Sequence, residues 1–177
     1  MLAGNQSAFA TLVKRHEQYV FNLVLRVVKQ REVAEELTQD VFVKAYRFLG
    51  DFKNKSKFTT WLYRIAHNTC YSYLRNKKTP EQFPGDEKIA AFSDNNIQSQ
   101  VINPLEQKSR ENVIQTALSK FPVSDQEIIS LYYQGDQTVA EIALIVNLSE
   151  SNVKIRLFRC RQKLKDELKE LYKEIQS

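Results

Sequence analysis

A chain of 177 residues is long enough for one ordinary domain or two small ones. Four glycines and four prolines, against abundant Leu, Ile, Val, Lys, Glu and Gln, favour helix over sheet. The net charge of +5 is unevenly spread: residues 1–78 carry fourteen Lys/Arg against six Asp/Glu, residues 79–107 one against five, and residues 108–177 eleven against ten. Cys70 and Cys160 stand alone, with no CxxC spacing, so neither a disulfide framework nor a zinc site is expected, and no cofactor motif is present. No apolar run approaches a membrane span and the N-terminus lacks a signal peptide's apolar core, so the expectation is a soluble cytoplasmic protein without membrane insertion.

Phe9, Leu12, Val13, Val20, Leu23, Val24, Val27 and Val28 mostly recur at i, i+3 and i+4, which predicts a helix from about Ser7 to Lys29. A second helix, from about Glu32 to Leu49, turns Leu37, Val41, Ala45 and Phe48 inward and is stopped by Gly50. Asp51–Lys57 has no apolar period and reads as a loop. The third helix, from about Thr59 to Asn76, has an inner stripe of Leu62, Ile65, Ala66, Thr69 and Tyr73. Its opposite face presents Thr60, Arg64, His67, Tyr71, Arg75 and Lys78 outward. Residues 79–104 are acidic and punctuated by Pro80, Pro84, Gly85 and Pro104, as a flexible linker would be.

A further helix begins near Pro104–Leu105 and carries Val113, Ile114, Ala117 and Leu118 inward. Ser124-Asp125-Gln126-Glu127 has the form of a capping box, opening a helix that ends at Gly135. Thr138-Val139-Ala140-Glu141 is a second box, opening a short helix with Val139, Ile142, Ala143 and Val146. Ser149 is placed to cap a last helix, which runs to about Tyr172 on a stripe of Val153, Leu157, Cys160, Leu164, Leu168 and Leu171. The expected fold is all-α: two small helical domains, residues 1–78 and 105–177, joined by the linker over 79–104, the second a helix-turn-helix.

The chemistry lies in three places. From Asp51 to Lys78, six aromatics (Phe52, Phe58, Trp61, Tyr63, Tyr71, Tyr73) alternate with seven Lys/Arg. Cations attract phosphates and aromatic faces accept unstacked bases, so this run is a candidate surface for an opened nucleic-acid strand; a solvated helix face is the plainer alternative. At the start of the last helix, Ser151, Asn152, Lys154, Ile155, Arg156, Phe158 and Arg159 occupy the positions that a helix-turn-helix presents to the major groove. An exposed Ile155 and Phe158 suit thymine methyls; a basic amphipathic helix packed in a bundle would show the same charges. The third place is the acidic stretch Ala34–Phe42, where Glu35, Glu36, Gln39, Asp40, Phe42, Val43 and Tyr46 include the exposed surface and suit a protein partner rather than DNA. His16 and His67 lie near no nucleophile, no Gly-rich phosphate loop occurs, and no catalytic constellation is found, so no enzymatic activity is expected.

Together these parts resemble the extracytoplasmic-function (ECF) sigma factors of bacterial RNA polymerase. Glu36-Leu37-Thr38-Gln39-Asp40-Val41-Phe42 is similar to that family's polymerase-clamp motif, and Phe58-Thr59-Thr60-Trp61-Leu62-Tyr63-Arg64-Ile65-Ala66-His67-Asn68 to its promoter-melting segment. Glu141-Ile142-Ala143 and Asn152–Arg161 resemble its region-four helix-turn-helix. The resemblance implies that Glu36, Gln39, Asp40, Phe42 and Tyr46 bind the clamp coiled coil of core RNA polymerase. It implies that Lys53, Asn54, Lys55, Ser56, Lys57, Phe58, Thr60, Trp61, Arg64, His67, Asn68 and Tyr71 take the melted −10 element. The seven residues from Ser151 to Arg159 named above would read the −35 element as duplex. An anti-sigma factor is implied as a further partner. Ile155, often a small polar residue in the family, and the lysine-rich loop depart from its pattern. A stand-alone helix-turn-helix regulator is the main alternative. A recombinase would need a nucleophilic serine and clustered arginines in an α/β domain, and residues 1–78 show neither.

Overall fold

A computed structural model describes residues 6–53, 55–77 and 116–176. The expected linker, the helix expected from Pro104 as far as residue 115, Asn54 and Lys78 lie outside the described residues, as do the side chains of Leu168 and Leu171. All regular structure among the described residues is helical. The order is α1 (Gln6–Val28), α2 (Arg31–Phe48), a 3₁₀ turn (Leu49–Asp51), α3 (Phe58–Lys77), helical residues 116–119, α4 (Val123–Tyr133), α5 (Val139–Val146) and α6 (Glu150–Gln176).

Helices α1, α2 and α3 pack on one another, and so do α4, α5 and α6. The two groups also meet, α1 against α4 and α3 against α5. One apolar cluster therefore runs through both: Val20, Val24, Val41, Leu62 and Ala66 of the first group are continuous with Ile128, Leu131, Ile142, Ile145 and Val153 of the second. A smaller cluster of Leu118, Phe121, Ile129 and Cys160, with Leu164 against it, fills the far side of α4. Burial pushes the Cys160 thiol up to about 11 and the Cys70 thiol up to about 12, so both stay protonated and act as small apolar groups.

Local signals explain most boundaries. Thr138 caps α5 with a complete capping box: its hydroxyl accepts from Glu141 N, and Glu141 Oε2 accepts from Thr138 N at 2.8 Å. Asn147, in the left-handed region (φ 54°), closes α5. Ser149 Oγ accepts from Asn152 N at 3.2 Å, capping α6. Three expectations are corrected. The Ser124 box does not form: α4 starts at Val123 after Pro122, which supplies no side-chain cap, so Ser124 and Glu127 lie inside the helix and are free for other partners. Gly50 does not stop α2; the last turn tightens into the 3₁₀ turn and Leu49 is its buried residue. That tightening throws Phe48, expected inside, out to 52% exposure.

Candidate nucleic-acid interface

The apolar stripe of α2 is wider than Leu37, Val41 and Ala45. It also takes Ala34, Thr38 and Phe42, with Thr38 made compatible by donating its hydroxyl to Ala34 O at 2.6 Å. Phe42, expected on the surface, is only 8% exposed. The polar Thr38, four residues earlier, hid the row to which Phe42 belongs. What α2 does present is Glu35, Glu36, Gln39, Val43 and Tyr46, with Asp40 half-exposed and bridged to Lys44 at 2.7 Å. Tyr46 meets the Phe9 ring edge-on at 5.0 Å, and the two line a shallow groove between α1 and α2 with Ala10, Val13, Lys14 and Glu17.

The loop before α3 folds around an aromatic triangle. Phe52, Phe58 and Trp61 lie with ring centroids 5.2–5.9 Å apart, and His16 adjoins Phe58 at 5.8 Å. Lys53 and Lys55 project into solvent, while Ser56 is half-buried. Lys57 reaches across to Glu141 on α5 at 3.3 Å. On α3, Arg64, Asn68 and Arg75 are exposed, but Thr60, His67 and Tyr71 do not face solvent as expected. Thr60, 2% exposed, donates its hydroxyl to Gln137 Oε1 at 2.7 Å. His67 Nδ1 is 2.8 Å from Glu127 Oε1, and the Tyr71 hydroxyl donates to Glu127 Oε2 at 3.1 Å. Their rings stack at 4.3 Å. Burial first, then the Glu127 carboxylate, raises the Tyr71 hydroxyl well above the usual tyrosine range, so it remains a donor. These residues do lie opposite the inner stripe of α3; the second helical group covers them.

Sequence reasoning missed the covering residues, Glu127, Gln137, Gln126 and Tyr19. Glu127 did carry a signal. It falls between Val123 and Leu131 at four-residue spacing, a charge in apolar register, and such a charge must find partners.

At the N-terminal end of α6, Ser151, Asn152, Lys154 and Arg159 are exposed, and so are Ile155 (49%) and Phe158 (62%). Arg156 is held: it donates to Asn152 Oδ1, Ser124 Oγ and Asp125 Oδ1, each at 3.1 Å. Further along, Arg161 donates to the Tyr133 hydroxyl at 2.8 Å and lies over Tyr132. Among the described residues, no group of three or more His, Cys, Asp or Glu side chains is placed to hold a metal ion, and no helix is long and apolar enough to cross a membrane.

The family model for Sigma-70 region 2 matches residues 12–79, and that for Sigma-70, region 4 matches residues 111–164. The ECF RNA polymerase sigma factor SigW of Bacillus subtilis (strain 168) is 30% identical over 175 residues, covering 95% of this chain and 92% of that one. This chain belongs to the ECF sigma factor family. The ECF RNA polymerase sigma-E factor of Escherichia coli (strain K12) is 32% identical over 174 residues, covering 95% of this sigma factor and 90% of its relative. Two solved structures share the fold. The sigma factor RpoE in complex with the anti-sigma factor NepR from Bartonella quintana has a TM-score of 0.70 at 23% identity, covering 92% of this chain and 97% of that one. CnrH in complex with the cytosolic domain of CnrY has a TM-score of 0.63 at 24% identity, covering 94% and 90%. The chain is thus an alternative sigma factor with a region-2 module (α1–α3) and a region-4 module (α4–α6), the latter a helix-turn-helix.

Proposed function

We propose that this sigma factor binds core RNA polymerase, opens a promoter and reads it at two points, without a catalytic step of its own. The polymerase clamp coiled coil docks on α2 through Glu36, Gln39, Asp40 and Tyr46; Phe42 supports that surface from beneath. The aromatic–lysine loop and the outer face of α3 take the −10 strand: Lys53, Asn54, Lys55 and Lys57 meet phosphates, and Phe58, Trp61, His67 and Tyr71 offer ring faces or edges to bases. Thr60, Arg64, Asn68 and Ser56 frame that site. Helix α6 enters the −35 major groove with Ser151, Asn152, Lys154, Ile155, Phe158 and Arg159 foremost, while Arg156, held by Asp125, fixes α6 against α4. The working boundaries are residues 1–78, 79–104 and 105–177. The action belongs in the cytoplasm, where the polymerase is, and an anti-sigma factor is the expected restraint.

The observation that carries this reading is the pairing, on one sigma-family chain, of a loop rich in rings and lysines with a helix end exposing both Phe158 and Arg159. Run-off transcription with core polymerase, followed by start-site mapping, is the test. Initiation at a defined promoter set is expected; no initiation from any template ends the reading. Tight duplex binding without core polymerase would instead indicate a stand-alone regulator.

A further inference from the structure

Arg161 is a cation of α6 whose setting the contacts proposed above leave unexplained. It is exposed on the flank of the helix, one turn beyond Phe158. Its Nε donates to the Tyr133 phenol oxygen at 2.8 Å, and its guanidinium lies 5.2 and 5.8 Å from the Tyr132 and Tyr133 ring centroids. The two rings meet edge to face with centroids 5.0 Å apart. Tyr132 packs against the apolar cluster, while Tyr133 is 57% exposed. The arginine is thus held at the surface on an aromatic seat that is itself anchored in the core.

That seat does not neutralise the charge. Among the described residues, the groups acting on Arg161 are the two phenols, and no carboxylate pairs with it. Arg156 on the same helix differs, with Asp125 Oδ1 at 3.1 Å. A single bond through Nε leaves the two terminal nitrogens of Arg161, with four N–H donors, available to an outside acceptor. The Tyr133 oxygen accepts in that bond, so its own O–H can donate as well. A fixed fork of donors, a full positive charge and no resident anion suit an oxyanion such as a phosphodiester.

Position on the helix selects the source of that anion. On a helix turning roughly 100° per residue, Arg161 is about 60° from Phe158 on one side and Arg159 about 100° on the other. With Ile155 and Phe158 toward base edges, the two arginines address opposite walls of a major groove about 12 Å wide. Lys154, exposed and about 10 Å nearer the start of α6, shares the flank of Arg161.

We propose that Arg161 and Tyr133 form a preset clamp for one phosphodiester on the strand that borders the −35 major groove. The clamp sets the depth and register at which α6 enters, and it reads no sequence. The inference rests on the proposed function, because it takes α6 to lie in that groove. The aromatic seat orders the guanidinium before DNA arrives, so little side-chain freedom is lost on binding.

The test uses holoenzyme assembled from core polymerase and the full chain, with labelled promoter duplexes carrying an intact or a mutated −35 element. Anisotropy titrations over a series of salt concentrations read affinity and salt slope, and thermal melting confirms that each variant folds. Arg161→Gln should bind roughly tenfold more weakly on both duplexes, with a slope shallower by about 0.9. Tyr133→Phe keeps the charge, so it should lose about threefold in affinity with a slope near that of the wild type. Wild-type affinity and slope in folded Arg161→Gln overturn the clamp. So does a loss confined to the intact −35 element, which would make Arg161 a base reader. Unchanged DNA binding with weaker assembly on core polymerase would assign the pair to an acidic protein surface and overturns it too. A wild-type holoenzyme indifferent to the −35 mutations is a separate outcome and overturns the proposed function.

Discussion

Thr138 and Glu141 show how much one pair of side chains can do. Glu141 caps α5 and also holds Lys57. Burial pushes its carboxyl up, but hydrogen bonds from the Thr138 backbone and hydroxyl and from Lys57 outweigh that and hold it below its ordinary 4.5. A depressed carboxylate contributes stability that is present above the unfolded-state pKa and disappears as the pH falls through the lower, folded-state value. Thr138→Ala should cost about 1 kcal/mol at about pH 7, and the variant should lose less than the wild type on going to about pH 3. Urea midpoints at the two pH values measure both; an equal acid loss in the two proteins would detach Thr138 from the effect. The box was legible in the sequence because its two members are local. The equally well-formed Ser124 box was not realised, since Pro122 lets the helix begin two residues earlier, at Val123 rather than Asp125, and Glu127 has distant partners.

Among the helices, α2 and α6 each separate a supporting residue from a contacting one. On α2, Phe42 is in the stripe and Asp40 at its edge. Phe42→Ala should therefore destabilise the fold by about 3 kcal/mol, the low end for a buried phenylalanine. Asp40→Ala should leave the melting temperature nearly unchanged and weaken capture by core polymerase. A pull-down alongside thermal melts distinguishes them, and full polymerase binding by Asp40→Ala would remove α2 from the interface. On α6, Arg156 is tied to α4 while Arg159 is exposed. Arg159→Ala should weaken −35 recognition by about 1–3 kcal/mol if it grips a guanine edge. Uniform loss across mutated −35 sequences would reassign it to a phosphate. Both helices were legible as helices from their spacing. Which of two neighbouring residues faces in was not, because Thr38 and the tightened end of α2 shift the apolar row by one position.

At the scale of the whole molecule, the division into two helical modules could be read from charge and composition, and the three proposed surfaces were drawn from local motifs. Their meeting could not. His67 and Tyr71 are sixty and fifty-six positions from Glu127, and no local pattern pairs groups so far apart. The wheel of α3 did divide Thr60, His67 and Tyr71 from Leu62 and Ala66 correctly. A wheel, however, distinguishes one side of a helix from the other, not solvent from a second module.

Lys57 has a consequence in the currency of ions. Where a lysine amine rests against a carboxylate, as Lys57 does against Glu141, a nucleic-acid phosphate that takes over the amine releases a carboxylate. The carboxylate must then gather its own cation, so part of the sodium freed from the strand is taken up again. Each lysine engaged from solvent instead contributes about 0.7 to the slope of log affinity on log salt for a single strand. Titrations of a labelled single strand over a series of salt concentrations should thus give a shallower slope for the wild type than for Glu141→Gln, by about 0.7, one lysine's worth. Parallel lines would show that Lys57 is equally available in both.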